Sequence, residues 1–258
     1  MGHIIDISHH QDPKKINYTK LCSQLDMAII RVQYGSRVID KHYKTHIAEM
    51  KKHNVPFGVY AWVRGISEND MRVEAQDFYN RAKDLNPLFY VLDVEEKSMN
   101  NMRAGINAYV EKLRELTNKK IGVYIGHHVY KEFNIDTSKF DFVWIPRYGP
   151  NNGKPHNTRP AYPCDLWQYT SVGRVDGYDG NLDLNVLTGT KPLEFFTGEK
   201  KIDELDTIKI SLHGRLIETK GIYKDKTNYI PVRFLEKLGY RISWDDKSKT
   251  VIIEYKEG

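Results

Sequence analysis

Asp93 and Glu95 close the apolar run Leu88-Phe89-Tyr90-Val91-Leu92. Such a run reads as a buried strand. Side chains alternate along a strand, so these two carboxyls share one face. Like charges on a buried face resist being ionised together. A common resolution is a site where one carboxyl keeps its proton and acts as an acid. Asp6, near the end of the strand-like His3-Ile4-Ile5-Asp6-Ile7, and Asp183, in Gly180-Asn-Leu-Asp-Leu-Asn185, extend the set of acids at strand ends. A carboxyl cluster of this kind suits glycosidic cleavage: one acid protonates the leaving oxygen while another negative group stabilises the sugar cation. Spacing alone also leaves helix caps, structural ion pairs and a metal site open.

The elements that would position these acids alternate along the chain. Strands are predicted at 2–8, 27–32, 56–63, 88–95, 121–125, 142–146, 165–170 and within 181–186. Helices are predicted at 42–53, 70–85 with Asn69 as cap, and 103–117. Alternation of strand and helix implies a parallel sheet, and catalytic groups then gather at the strands' C-terminal ends. The fold class is α/β, an irregular TIM-like β/α barrel with a small C-terminal β-rich α+β domain. If strands one and eight close the barrel, Asp6 and Asp183 flank one another. The Gly-, Pro- and Asn-rich stretch 147–163 reads as a loop near the site. The predicted organisation is a catalytic barrel at 1–188, a linker at 189–206 and a small domain at 207–258.

Composition narrows the function. The 258 residues carry a formal charge of +5, with no basic stripe interleaved with aromatics, which argues against nucleic acid. A mild positive charge favours approach to an anionic polymer such as a bacterial wall. The two cysteines form no CxxC and imply no disulfide framework. No signal peptide and no membrane-inserting segment is read. The pairs His9-His10 and His127-His128 lack the spacing of a zinc site. No metal and no cofactor is expected. The chain is rich in aromatics, with 17 Tyr and 4 Trp. Tyr60, Trp62, Tyr124, Trp144, Trp167 and Tyr169, with Gln168, fall in or beside strands, where rings stack on sugars or simply fill the core.

Three ordered blocks carry a resemblance: His3-Ile-Ile-Asp6-Ile-Ser8 with Gln11; Phe89–Glu95 ending Asp-Val-Glu; and Leu166-Trp167-Gln168-Tyr169-Thr170-Ser171 with Gly177-Tyr-Asp-Gly-Asn-Leu-Asp183-Leu-Asn185. Together they resemble glycoside hydrolase family 25, the lysozymes of phage endolysins and bacterial autolysins, over about residues 1–187. The resemblance implies a flattened barrel that cleaves the β-1,4 bond between N-acetylmuramic acid and N-acetylglucosamine in the peptidoglycan of a Gram-positive wall. It implies Glu95 as general acid, Asp93 as the group that orients or stabilises the reacting centre, and Asp6 and Asp183 as the rest of the acidic cluster. It selects Tyr60, Tyr124 and Trp167, with Trp62 and Gln168, as substrate-binding. Trp62 and Pro146 depart from the family's usual smaller residues. With no signal peptide read, synthesis in a host cytoplasm and action on the wall after release, holin-dependent if phage-encoded, are expected. A glycan-binding barrel without catalysis would lack the acid, and Glu95 is present. The stretch Tyr229–Asp245 with Thr250-Val-Ile-Ile253 resembles the stalk domain, also called copper amine oxidase N-terminal-like, and implies a cell-wall-binding module. Oligomeric state is left open, a dimer through this domain included.

Overall fold

The computed structural model describes residues 2–198, 206–212, 215–224, 227–245 and 250–255. The first compact unit ends at Gly198. Its elements run β1 (His3–Ile7), α1 (Tyr18–Cys22), β2 (Leu25–Tyr34), β3 (Val38–Ile39), α2 (Tyr43–Lys52), β4 (Phe57–Trp62), α3 (Glu68–Ala82), β5 (Phe89–Val94), α4 (Met102–Leu116), β6 (Lys120–Ile125), α5 (Tyr130–Phe133), β7 (Phe142–Pro146), β8 (Leu166–Val175), β9 (Tyr178–Leu187) and α6 (Leu193–Thr197). Nine strands form one sheet, closed by pairing of β1 with β2. Because β3 pairs with β2 alone, the barrel itself has eight strands.

The period-two pattern sorts each strand into two faces. Outward residues such as Ile5, Ile30, Val59, Leu92 and Val123 pack beneath the helices. Inward residues Ile4, Met27, Ile29, Phe89, Val91, Phe142 and Leu166 fill the barrel's lower interior. Phe89 and Phe142 fit because Gly58 and Gly122 face them: a Cβ on either glycine would fall 2.1 and 2.2 Å from the opposing ring. Alternating large and small side chains across a barrel is how a tapering interior fills.

Three expectations need correction. The sheet is not wholly parallel. β9 runs antiparallel to both β8 and β1. The reason is the connection: Val175 pairs with Tyr178 across the two-residue turn Asp176-Gly177, and such a turn joins only antiparallel strands. Gly177 takes the positive φ of +99° this turn needs. The cap of α3 is Ser67, whose side chain accepts from Asp70 N, and not Asn69. Finally, residues 189–198 are not linker. α6 returns to the barrel and places Phe196, 1% exposed, against Phe89 and Phe142 at ring separations of 5.9 and 5.0 Å. Residues 199–205 of the expected linker lie outside the described residues.

The second unit begins at residue 199. An antiparallel three-stranded sheet spans β10 (Asp206–Leu212), β11 (Arg215–Lys224) and β12 (Thr227–Tyr229). A 3-10 segment, Val232–Leu238, follows. The hairpin β13 (Tyr240–Asp245) and β14 (Thr250–Tyr255) completes the unit.

If α6 is the barrel's floor, removing its ring leaves a cavity in the core. Phe196→Ala is expected to lower stability by about 3–5 kcal/mol, read from the denaturant midpoint. A chain ended after residue 188 should melt well below one ended after residue 198; equal melting would return α6 to the linker.

Candidate active site

The barrel interior changes character along its axis. On β5 the inward positions read Phe89, Val91, Asp93, then Glu95 just past the strand end. On β1 they read Ile4, Asp6, Ser8, and on β8 Leu166, Gln168. The lower layers are apolar and the upper layer is polar. Asp6, Asp93, Glu95 and Asp183 thus line one cleft of about 140 Å³ at the strands' C-terminal end.

Asp6 and Asp183 are register partners across the β1–β9 pair and share a hydrogen bond, so one of them carries a proton. The donors around Asp6, traced from Trp144 Nε1, favour Asp183 as the one that carries it. Indole nitrogen only donates, and it donates to Asn185 Oδ1 at 2.8 Å. That fixes the amide, whose Nδ2 donates to Asp6 Oδ1 at 2.8 Å. Gln168 Nε2 donates to the same oxygen at 2.9 Å. The Gln168 amide is held in turn by the Tyr124 and Tyr148 hydroxyls, which donate to its Oε1 at 2.9 and 2.6 Å. Asp6 is the acceptor in this array. Burial raises it to about 6, less than it would without those donors. Burial and the neighbouring Asp6 charge push Asp183 up to about 9, so it keeps its proton at neutral pH.

Asp93 and Glu95 form a second hydrogen-bonded pair. Burial raises both, and the Glu95 charge adds to the effect on Asp93, which stays protonated. Glu95 is raised to about 7. Asp93 Oδ1 is buried without a hydrogen-bond partner in the protein.

One cation offsets this crowding. Arg31 reaches the cleft from β2 and is buried. Its Nε bonds Asp40 Oδ2 at 3.2 Å, and Asp40 also accepts from the backbone N–H groups of His9 and His42. Asp40 therefore positions Arg31. His9 contacts the same guanidinium through Nδ1.

The aromatics divide. Tyr60 and Tyr124 line the cleft, but their rings pack edge-on against Trp144, with centroids 6.4 and 4.6 Å away. They offer edges and hydroxyls rather than open faces. Trp62 stands half-buried at the rim, its Nε1 donating to Glu96 Oε1 at 3.1 Å. Trp167 is misplaced by the sequence reading. It sits one residue out of phase with Gln168 and so faces the outer layer. There its Nε1 donates to Arg147 O at 2.8 Å, and its ring packs against His156 and Arg159. It holds the 147–163 loop. That loop is itself part of the site, because Tyr148 dips from it into the cleft. His127 also braces the loop, through Arg147 Nη1 at 2.8 Å.

Sequence reasoning left Arg31, Tyr148, Asn185 and Asp40 out of the site. Arg31 had a signal: a charge inside the apolar run Ile29-Ile30-Arg31-Val32, in phase with Met27 and Ile29. Asn185 is in phase with Asp183. Tyr148 has no local signal at all.

A family model described as glycosyl hydrolases family 25 matches residues 5–178. GHIP, a glycosyl hydrolase 25 of Streptococcus pneumoniae, is 42% identical, with 75% of this chain and 89% of that chain covered and a TM-score of 0.71. The catalytic domain of endolysin ply40, from a bacteriophage of Listeria monocytogenes, is 30% identical over 77% of this chain and 98% of that chain, with a TM-score of 0.71. Lysozyme M1 of Streptomyces globisporus is 23% identical over 204 residues, 72% of this chain and 67% of that protein. The chain belongs to glycosyl hydrolases family 25. It is a glycoside hydrolase.

The buried acids carry a stability cost with a definite sign. Asp183 rises from 3.8 to about 9 on folding, so its penalty is absent below the unfolded value and grows as pH rises towards the folded one. Asn at 183 keeps a donor to Asp6 without an ionisable group. Asp183→Asn is expected to match the wild type in stability near pH 4 and to exceed it by a margin that widens as pH rises towards 8. Thermal unfolding across pH measures the gap; a constant gap would refute the assignment.

Proposed function

We propose that the protein is an N-acetylmuramidase that hydrolyses the β-1,4 bond between N-acetylmuramic acid and N-acetylglucosamine in peptidoglycan. The observation that carries this reading is one cleft lined by four carboxyls, with Asp6 opposite Asp183 across neighbouring strands and Asp93 on the same inward face as Glu95. Below a pH of about 7 Glu95 carries a proton of its own in addition to the one on Asp93, and it donates that proton to the glycosidic oxygen as the bond to the anomeric carbon breaks. Positive charge then develops on the sugar, and Asp6, kept acceptor-only by Gln168 and Asn185, stabilises it in a low-dielectric setting. A contact from Asp93, which lines the cleft, to the sugar's acetamido N–H would turn the amide towards the reacting carbon. Water completes the reaction, giving its proton to the Glu95 carboxylate. Arg31 limits the repulsion among the four acids.

Peptidoglycan cleavage is supported by likeness to lysozymes, and wall lysis as an endolysin by the 30% identity to ply40. The 42% identity to the pneumococcal hydrolase supports a bacterium-encoded enzyme instead, and gene neighbourhood distinguishes the two. For residues 207–258 we propose retention on the wall. The exposed Tyr229, Trp244 and Tyr255 support contact with an insoluble glycan, and tethering raises the local concentration of the barrel.

Mass spectrometry of digested Gram-positive walls should find muramic acid at the new reducing ends. Glucosamine ends or free peptides would overturn the bond assignment. Glu95→Gln should lower kcat by about 10²–10⁴-fold with folding intact. The rate should fall above pH of about 7, as Glu95 loses its proton, and below about 6, as Asp6 gains one. A chain ended after residue 198 should keep its rate on soluble fragments and lose retention on sedimented walls.

A further inference from the structure

The cleft does not end at Trp62. Arg31 and Trp62 also line a second hollow of about 490 Å³, larger than the catalytic cleft itself. Its outer wall is β3, whose Val38 and Ile39 are 54% and 52% exposed. Tyr34 and Lys41 also line it. The walls are preset. β3 is hydrogen-bonded to the end of β2 through the pairs Gln33–Ile39 and Tyr34–Val38. Tyr34 donates to Glu96 Oε1 at 3.3 Å, and the Arg64 guanidinium sits 4.6 Å over its ring. The same Glu96 oxygen holds Trp62.

The chemistry of the lining selects an occupant. Val38 and Ile39, both β-branched and exposed on an edge strand, contribute apolar surface to the hollow's lining. The charged groups are biased to one sign. Arg31 and Asp40 pair with each other, Asp40 also accepting from two backbone N–H groups, which leaves the Lys41 ammonium as the lysine or arginine charge facing the hollow. A sugar ring wants open aromatic faces with mixed donors and acceptors. Methyl groups beside a cation suit a short peptide with small aliphatic side chains and free carboxylates.

We propose that this hollow binds the acidic peptide stem borne by a muramic acid residue seated in the adjoining cleft. The inference rests on the muramidase reading, under which every second sugar of the substrate carries such a stem. Continuity of the two hollows through Arg31 and Trp62 lets one substrate molecule occupy both. The stem then adds binding energy at the catalytic step, and the enzyme distinguishes peptide-bearing glycan from bare glycan.

The test compares two substrates made from one wall preparation: soluble glycan strands with their stems, and the same strands stripped by an amidase. The wild-type full-length chain should cleave stem-bearing strands with kcat/KM about tenfold higher. The double variant Val38→Glu/Ile39→Glu introduces repulsion at two exposed positions. It should lose that advantage while keeping the wild-type rate on stripped strands and its melting temperature. Equal wild-type rates on both substrates would overturn the stem pocket and leave the muramidase reading standing. A loss in the variant that is equal on both substrates would assign the hollow to a further saccharide and overturn the proposal. Cleavage of neither substrate by the wild type would bring down the muramidase reading and the pocket with it.

Discussion

The site depends on keeping four carboxyl groups together at the mouth of a closed barrel. Burial there opposes ionisation of all of them, and each charge opposes the next. The fold resolves the conflict by pairing them and giving the pairs unequal surroundings. Asp6 receives two amide donors whose orientation traces back to Trp144 and to two tyrosine hydroxyls. Asp183 receives no comparable support and holds the proton. Asp93 lies deeper than Glu95, so the proton of that pair rests on Asp93 and Glu95 titrates near neutrality. Two pairs of like residues thereby take different roles.

This polarity needs a rigid floor. Below the acids, Phe89, Phe142 and Phe196 pack edge to face in space opened by Gly58 and Gly122. A close-packed lower layer leaves the upper side chains few alternative positions. The antiparallel return of β9 belongs to the same design. It brings Asp183 opposite Asp6 in register and places Asn185 two residues along on the same face, in reach of Asp6 Oδ1. A crossover helix and a parallel last strand would reverse the order in which Asp183 and Asn185 meet β1.

The rim differs from the interior. Glu96 gathers Trp62, Tyr34 and Arg64 on one oxygen, and Asp40 gathers Arg31 and two backbone N–H groups. These acids do positioning, not chemistry. The 147–163 loop, pinned by Trp167 and His127, delivers Tyr148 to the amide network. A residue read as a sugar platform thus serves to hold the loop that completes the site.

Much of this was legible in the chain. Alternation along β5 put Asp93 and Glu95 on one inward face, and strand-end position marked Asp6 and Asp183. The run Ser67-x-x-Asp70 also held the true cap of α3, since Ser67 accepts from Asp70 N while Asp70 accepts from Ile66 N. What local pattern determined was which residues share a face and where strands end, because both follow from the two-residue repeat of extended backbone. Phase decided against Trp167 by the same rule, yet the family resemblance favoured it. The tertiary structure alone decided which acid of each pair keeps its proton, that Tyr148 reaches the cleft, and that Phe196 belongs to the barrel. Those outcomes depend on contacts between segments up to 179 residues apart, as between Asn185 and Asp6, and burial and electrostatic coupling exist only once the chain has brought them together.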